Sequence, residues 1–266
     1  MINFLKTEYN FINPKIKKLV GYDIVNYKVE TDSENYILKV YPNKKEEIDL
    51  ANAENEILLH LQKQQNNRFP KPIKNQDNKF ITTFKENNTE KTVRLLTYLE
   101  GEFLGETEHS ARLFKSFGKF LAEIDLQLQN CRNYVIEART LKWDLQYFLM
   151  NEKYLKDISN PSDRKIAAHF FQKYKENVIP VLPTLRKQII HDDANEWNTL
   201  VQNNRISGII DFGDLCYTQL INELAIALAY SLLGKKEPVK WAVHIVLEYH
   251  KVLPLQEKEI DILYWL

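Results

Sequence analysis

The sequence predicts an α+β chain in two parts, an antiparallel sheet with one helix inserted followed by a mainly helical region. Three observations carry this prediction. Over the first hundred residues, short segments rich in β-branched and aromatic residues alternate apolar with polar positions. After Glu100-Gly101 the apolar spacing becomes helical. The chain has 266 residues, 44% of them hydrophobic, enough for one or two cores. The boundary falls near residue 100, giving regions 1–100 and 101–266.

The elements follow in order. Tyr22–Glu30 and Asn35–Tyr41 read as a hairpin, with Asp32-Ser33-Glu34 supplying the turn. Glu46–Gln64 places Leu50, Ala53, Ile57, Leu58 and Leu61 at helical spacing. Lys79–Phe84 and Thr92–Leu99 read as two strands separated by the polar stretch Lys85–Lys91. Ser110–Leu128 is an amphipathic helix carrying Leu113, Phe117, Phe120, Leu121 and Ile124. Leu141–Leu155 and Ser162–Val178 read as further helices, and Pro180 and Pro183 break the chain after them. A strand pair, Thr199–Gln202 and Ile206–Phe212, turns at Asn203-Asn204. Leu220–Leu233 and Val239–Leu253 read as two more helices, and Asp261–Leu266 as the start of another. That last pattern reads either as a chain cut from a longer protein, with a fused domain beyond Leu266, or as a native end.

Composition excludes several classes. Lysine plus arginine and aspartate plus glutamate each number 36, and a net charge of zero argues against a nucleic-acid binder. Two cysteines, Cys131 and Cys216, make no disulfide framework, which predicts a reducing, cytoplasmic setting. The first residues lack the basic start and apolar core of a secretory leader. The apolar stretch Leu224–Leu233 is half the ~20 residues a membrane span needs. Only seven glycines occur, and none forms a Gly-x-Gly-x-x-Gly or Gly-Lys-Ser/Thr motif, so any nucleotide is bound without those loops. The 24 asparagines are scattered, a pattern read as composition bias.

The chemistry concentrates in Ile189–Asp214, IIHDDANEWNTLVQNNRISGIIDFGD. It holds five carboxylates, Asp192, Asp193, Glu196, Asp211 and Asp214. On charge alone a solvated acidic loop is an equal reading. Oxygen-rich sets also suit Mg²⁺ with substrate phosphates. The apolar flanks Ile189-Ile190, Thr199-Leu200-Val201 and Ile209-Ile210 favour polar groups held at fixed places by buried strands.

His191-x-Asp193-x-x-x-x-Asn198 followed by Ile210-Asp211-Phe212-Gly213-Asp214 resembles the aminoglycoside phosphotransferase and choline kinase superfamily, small-molecule kinases with a two-lobed, protein-kinase-like fold. The stretches IIHDDANEWNTLV and GIIDFGDLCYTQLINELA, with Ile124-Asp125 and Trp143-Asp144-Leu145, are similar to hydroxylysine kinases and to kinase domains fused to class III aminotransferases. One departure stands out: Asp192 lies where most members have glycine.

The resemblance implies the roles. Asp193 becomes the base that accepts the proton of an acceptor hydroxyl; on its own it reads equally as a helix N-cap. Asn198 and Asp211 become ligands of Mg²⁺. His191 is implied as architectural, its ring bonding the loop backbone, and Glu223 as a brace beneath the loop. Lys39, in Tyr36-Ile37-Leu38-Lys39-Val40, contacts nucleotide phosphates and pairs with a helix glutamate. Glu54 is the matching glutamate; Glu56, turned about 200° away on the helix, is its competitor. Gly21–Tyr27, with Gly21 and Asn26, would cover the phosphates. Backbone groups near Thr97 and Leu99 would bind the purine of ATP or GTP.

The implied acceptor is a small amine-bearing alcohol of the hydroxylysine type. Asp192, Glu196 and Asp214 would favour its ammonium group. Trp143 and Tyr147, expected four apart on one helix face, read as core or as a cation–π surface, and Asp144 as a contact to the amine. Two other readings are a metal-dependent phosphohydrolase built on His191-Asp192, and a nucleotide-binding pseudokinase or regulatory module. The first wants further histidine ligands at suitable spacing, which His60, His109, His169, His244 and His250 do not offer. The second need not keep Lys39, Asp193, Asn198 and Asp211 together.

Overall fold

A computed structural model of the chain describes residues 1–21, 24–63 and 67–266. The architecture is α+β, and it divides into two compact units: Met1–Gly101 with Gly208–Gly213, and Glu102–Ser207 with Asp214–Leu266.

The first unit is built on an antiparallel sheet. Its strands are β1 (Lys15–Lys18), β2 (Val25–Glu30), β3 (Asn35–Pro42), β4 (Pro72–Ile73), β5 (Ile81–Glu86) and β6 (Thr89–Thr97). They run in the order β1-β2-β3-β6-β4, with β5 also paired to β6. Alternation along β3 and β6 gives the sheet two buried faces. Leu38, Val40, Val93 and Leu95 share a core with Leu5 and Tyr9 of α1 (Ile2–Tyr9). Lys39 and its cross-strand partner Arg94 lie on the other face, where Arg94 reaches α2 (Lys45–Gln62). The sheet therefore carries two helices, not the single inserted helix expected. α1 is eight residues long with two core contacts, too short a pattern to stand out.

The stretch Lys85–Lys91 is part of a hairpin, with β5 and β6 continuous to its tip. Asn87 and Asn88 form that tip at φ 48° and 63°, the backbone a tight hairpin turn demands. Tyr22 and Asp23 of the expected first strand, and Gln64 at the expected end of the helix, lie outside the described residues.

The second unit is mainly helical. Ser110 caps α3 (Ala111–Leu128) by accepting from the Leu113 amide at 3.1 Å. α3 lies along α7 (Pro238–Val252) so closely that a Cβ on Gly118 would meet the Ile245 carbonyl oxygen at 2.0 Å. α6 (Ile221–Ser231) packs against this pair, and the unit also holds α4 (Tyr134–Glu137), α5 (Pro161–Asn177) and α8 (Glu257–Ile262). Two short sheets hold the chemistry-bearing loop. β8 (Lys187–Ile190) pairs with β11 (Cys216–Gln219), and β9 (Thr199–Gln202) lies between β7 (Glu102–Phe103) and β10 (Arg205–Ile209). The expected helix Leu141–Leu155 is a 3₁₀ run, Leu145–Asp157, capped by Asp144. Trp143 precedes the cap, so it shares no helix face with Tyr147. Among the described residues, no helix is long and apolar enough to cross a membrane.

Candidate active site

In the first unit the sheet presents a row of polar side chains. Register places Asn26, Lys39 and Arg94 side by side. Lys39 is buried, and its Nζ donates to Asp211 Oδ1 at 2.8 Å. Burial alone would lower the lysine pKa, but Asp211, with Tyr41 and Glu54 further off, holds it above the ordinary value. The ammonium is thus kept charged in the protein interior. Asp211 arrives on the Gly208–Gly213 segment at φ 59°, and Phe212 behind it packs edge-on against Phe69. Gly208 is needed here: a Cβ would stand 2.6 Å from the Arg68 carbonyl oxygen. Ile209 seals the segment by donating its amide to that same carbonyl.

The expected Lys39–Glu54 pair is corrected. Glu54 binds Arg94, through a short contact of its carboxylate to the guanidinium. Arg94 also donates from Nε to the Tyr41 hydroxyl at 2.7 Å, and from its other amino group to Asn55 Oδ1 and the Ala51 carbonyl. The planar guanidinium satisfies strand and helix together, which a lysine point charge cannot do. Sequence reasoning gave Arg94 no role. Its signal was a lone arginine in an otherwise apolar strand, Val93–Leu96.

The Thr97 amide donates to the Lys71 carbonyl, and its hydroxyl accepts from the Lys71 amide at 2.9 Å. Its N–H is therefore engaged within the fold, and any purine contact near Thr97 would fall to other backbone groups. Leu99 lies just past the end of β6, clear of that pairing. Of the expected phosphate turn, Gly21 sits where a Cβ would press on the Ile24 carbonyl at 2.8 Å, and Asn26 has a buried Oδ1 without a partner. Tyr22 and Asp23 lie outside the described residues.

In the second unit, Asp193 follows β8. Its carboxylate accepts from Asn195 Nδ2 at 2.8 Å and from Asn198 Nδ2 at 2.6 Å. Asn198 also donates to the Asp193 carbonyl, so one asparagine fixes both backbone and side chain of the residue five positions earlier. Its amide nitrogen is spent on Asp193, which leaves Oδ1 as its cation-binding atom. Asn195 Oδ1 accepts the amides of Trp197 and Asn198 and closes the loop. His191 is fully buried, and its Nδ1 accepts the Asp193 amide at 3.3 Å. Glu223 accepts the amides of Asp192 and His191 from below. Asp192, at φ 64°, occupies the left-handed conformation that glycine adopts freely and aspartate tolerates.

Asp193, Glu196 and Asp214 face Tyr230 at the end of α6. Burial first, and then these three carboxylates in that order, raise the Tyr230 pKa. Nothing in the sequence marked Tyr230, which lies in the apolar run of α6. Glu196 has a buried Oε2 without a partner. Trp197 and Trp143 are both about half exposed, Trp197 edge-on to Phe103. Asp144 differs from expectation: it is buried and accepts from the Gln146 amide, the Gln146 side chain and the Thr218 hydroxyl. It holds the chain in place and offers no exposed carboxylate to an amine.

Residues 17–259 match the "Phosphotransferase enzyme family". The chain belongs to this family. Among curated relatives, a hydroxylysine kinase of Danio rerio is 33% identical over 182 residues, covering 65% of this chain and 51% of its own length. The chain thus spans about half the length of that relative. Among solved structures, the microcompartment-associated aminopropanol kinase has a TM-score of 0.77 at 16% identity, covering 98% of this chain and 83% of its own. The amicoumacin kinase hAmiN, in complex with AMP-PNP, Ca²⁺ and Ami, has a TM-score of 0.75 at 15% identity, covering 98% and 79%. These likenesses assign the chain to the fold of these small-molecule kinases.

Proposed function

We propose that the chain transfers the γ-phosphoryl group of ATP or GTP to the hydroxyl of an amine-bearing alcohol, with hydroxylysine-type acceptors favoured. The observation that carries this reading is the clamped Asp193. Two asparagine side chains aim its carboxylate, buried His191 accepts its amide, buried Glu223 accepts the amides of the two residues before it, and Tyr230 lies in the field of Asp193 together with Glu196 and Asp214. A base must be held in one geometry to act in a single step.

Asp193 takes the acceptor's hydroxyl proton as its oxygen bonds to the γ-phosphorus and the bond to the β-phosphate oxygen breaks. Lys39 supplies fixed positive charge for the nucleotide phosphates. Asp211 and Asn198 are the oxygen ligands proposed for Mg²⁺; an exposed carboxylate and a neutral amide oxygen suit a hard cation that keeps water and phosphate in its shell. Mg²⁺, when bound, would neutralise charge on the phosphates. Glu196 and Asp214 would receive an ammonium group. The names of the relatives support this choice, since hydroxylysine and aminopropanol both combine amine and hydroxyl. A cytoplasmic setting remains part of the proposal. The phosphohydrolase reading gains nothing: among the described residues, no histidine joins a cluster of three metal-capable side chains.

The test separates the roles. Asp193→Ala should lose at least 100-fold in turnover, the order of a positioned base, while calorimetric nucleotide binding stays within about twofold. Asp211→Ala should instead abolish the Mg²⁺ dependence of that binding. Near-normal turnover in Asp193→Ala would remove the base.

A further inference from the structure

Beneath the loop that carries Asp193, three buried side chains converge. One ligand atom each from Asp144, Asp192 and Cys216 lies within 4.8 Å of the others. Asp192 is 2% exposed, and apart from the Cys216 thiol, a weak donor, neither of its carboxylate oxygens has a hydrogen-bond partner. A buried carboxylate without a partner is costly, so the native protein must neutralise it. Asp144 beside it adds a second carboxylate, and Glu223 leaves another buried oxygen, Oε1, without a partner nearby.

We propose that Asp144, Asp192 and Cys216 bind a thiophilic divalent cation, Zn²⁺. The donor set fixes the class. Two carboxylates and a thiolate suit zinc, whose bonds of about 2.0–2.3 Å can gather atoms at this spacing with modest closure. Mg²⁺ is a poor fit, because it avoids sulfur and keeps several waters that a fully buried site would strip. An organic ammonium would need an open path for its carbon stem, and all three side chains are buried. Asp144 also has the support that metal carboxylates receive: Gln146 and Thr218 hold it from behind. On binding, the Cys216 sulfur forms the Zn–S bond, and the thiol proton together with the proton that burial keeps on Asp192 leaves to solvent. Asp192 marks this chain, because the resemblance places glycine at this position in most of the superfamily. The site is distinct from the ligands proposed for Mg²⁺, and its readout does not depend on phosphoryl transfer.

The experiment is metal retention by the full chain. Protein is incubated with excess Zn²⁺ in Mg²⁺ buffer, desalted, and its zinc counted by mass spectrometry. The expected result is about one equivalent in the native chain. Asp192→Gly and Cys216→Ser should lose it, each by more than the roughly 10–100-fold that disturbing a ligand's hydrogen-bond partner costs. Asp192→Gly is safe for folding, since glycine suits φ 64°. Cobalt loading should give a thiolate charge-transfer absorption that Cys216→Ser abolishes. A native chain that retains no zinc would overturn the proposal and leave a proton as the neutralising group. So would equal retention in the native chain and in both variants.

Discussion

At the scale of single residues, the clearest lesson is how Arg94 changes the pairing of Lys39 and Glu54. The resemblance supplied both matches, Lys39 in Leu38-Lys39-Val40 and Glu54 on the helix. Neither showed that an arginine one strand over would hold the glutamate, because cross-strand register is not written in local sequence. Arg94 and Glu54 are both almost wholly buried, so Glu54→Ala leaves a charge stranded in the core. A loss of about 3–5 kcal/mol of stability is expected, read by urea denaturation. A second residue-scale prediction concerns Asp125. It is fully buried, its carboxylate accepts from the Tyr249 hydroxyl at 2.6 Å, and burial, with Glu223 nearby, raises its pKa well above the ordinary value of 3.8. Tyr249 and the more distant Arg186 oppose that rise only in part. The folded chain therefore keeps this proton to higher pH than the unfolded chain does. The stability it contributes is full below about pH 4 and falls as pH climbs toward the folded value. Asp125→Asn should flatten that fall, which thermal melts across pH would detect as a smaller difference between acid and neutral conditions.

At the scale of elements, most long amphipathic patterns and the Thr199–Gln202 strand were legible, while several short elements and the 3₁₀ run at Leu145–Asp157 were not. α3 and α7 each repeat their apolar residues over four turns, and both stand close to where spacing predicts. α1, β1, β4, β7, β8 and β11 have eight residues or fewer, and a tertiary partner defines each of them. Turn chemistry was legible at Asn203-Asn204, where the strand pair turns as expected, and was missed at Asn87-Asn88. Asparagine, read as composition bias, supplies seven of the nine described non-glycine residues with positive φ, including both residues of the Asn87-Asn88 and Asn203-Asn204 turns. It does the work that few glycines are present to do. Gly118 and Gly208 stand where no Cβ fits. Gly118→Ala would drive a methyl into the Ile245 backbone, which cannot rotate aside. The cost should approach the top of the roughly 1–3 kcal/mol range for overpacking, measured as a fall in denaturation midpoint.

For the molecule as a whole, the fold class and family were readable because the residues of His191–Asn198 and Ile210–Asp214 keep their types and spacing. Their supports were not. Tyr230 and Arg94 carry no motif, since an apolar helix and an apolar strand hide them; Asn195, inside the motif, has its bonds to Asp193 and the loop amides set only by the folded backbone. The acceptor is the point on which the account depends most. The decisive measurement is phosphoryl transfer by the full chain with Mg-ATP and Mg-GTP, following the mass of the acceptor across hydroxylysine, ethanolamine, aminopropanol, choline, homoserine and aminoglycosides. The account predicts a phosphorylated amino alcohol, with the hydroxylysine-type acceptor turned over fastest and no product from Asp193→Ala. Phosphate released to water with no acceptor modified, or equal product from Asp193→Ala, would contradict it.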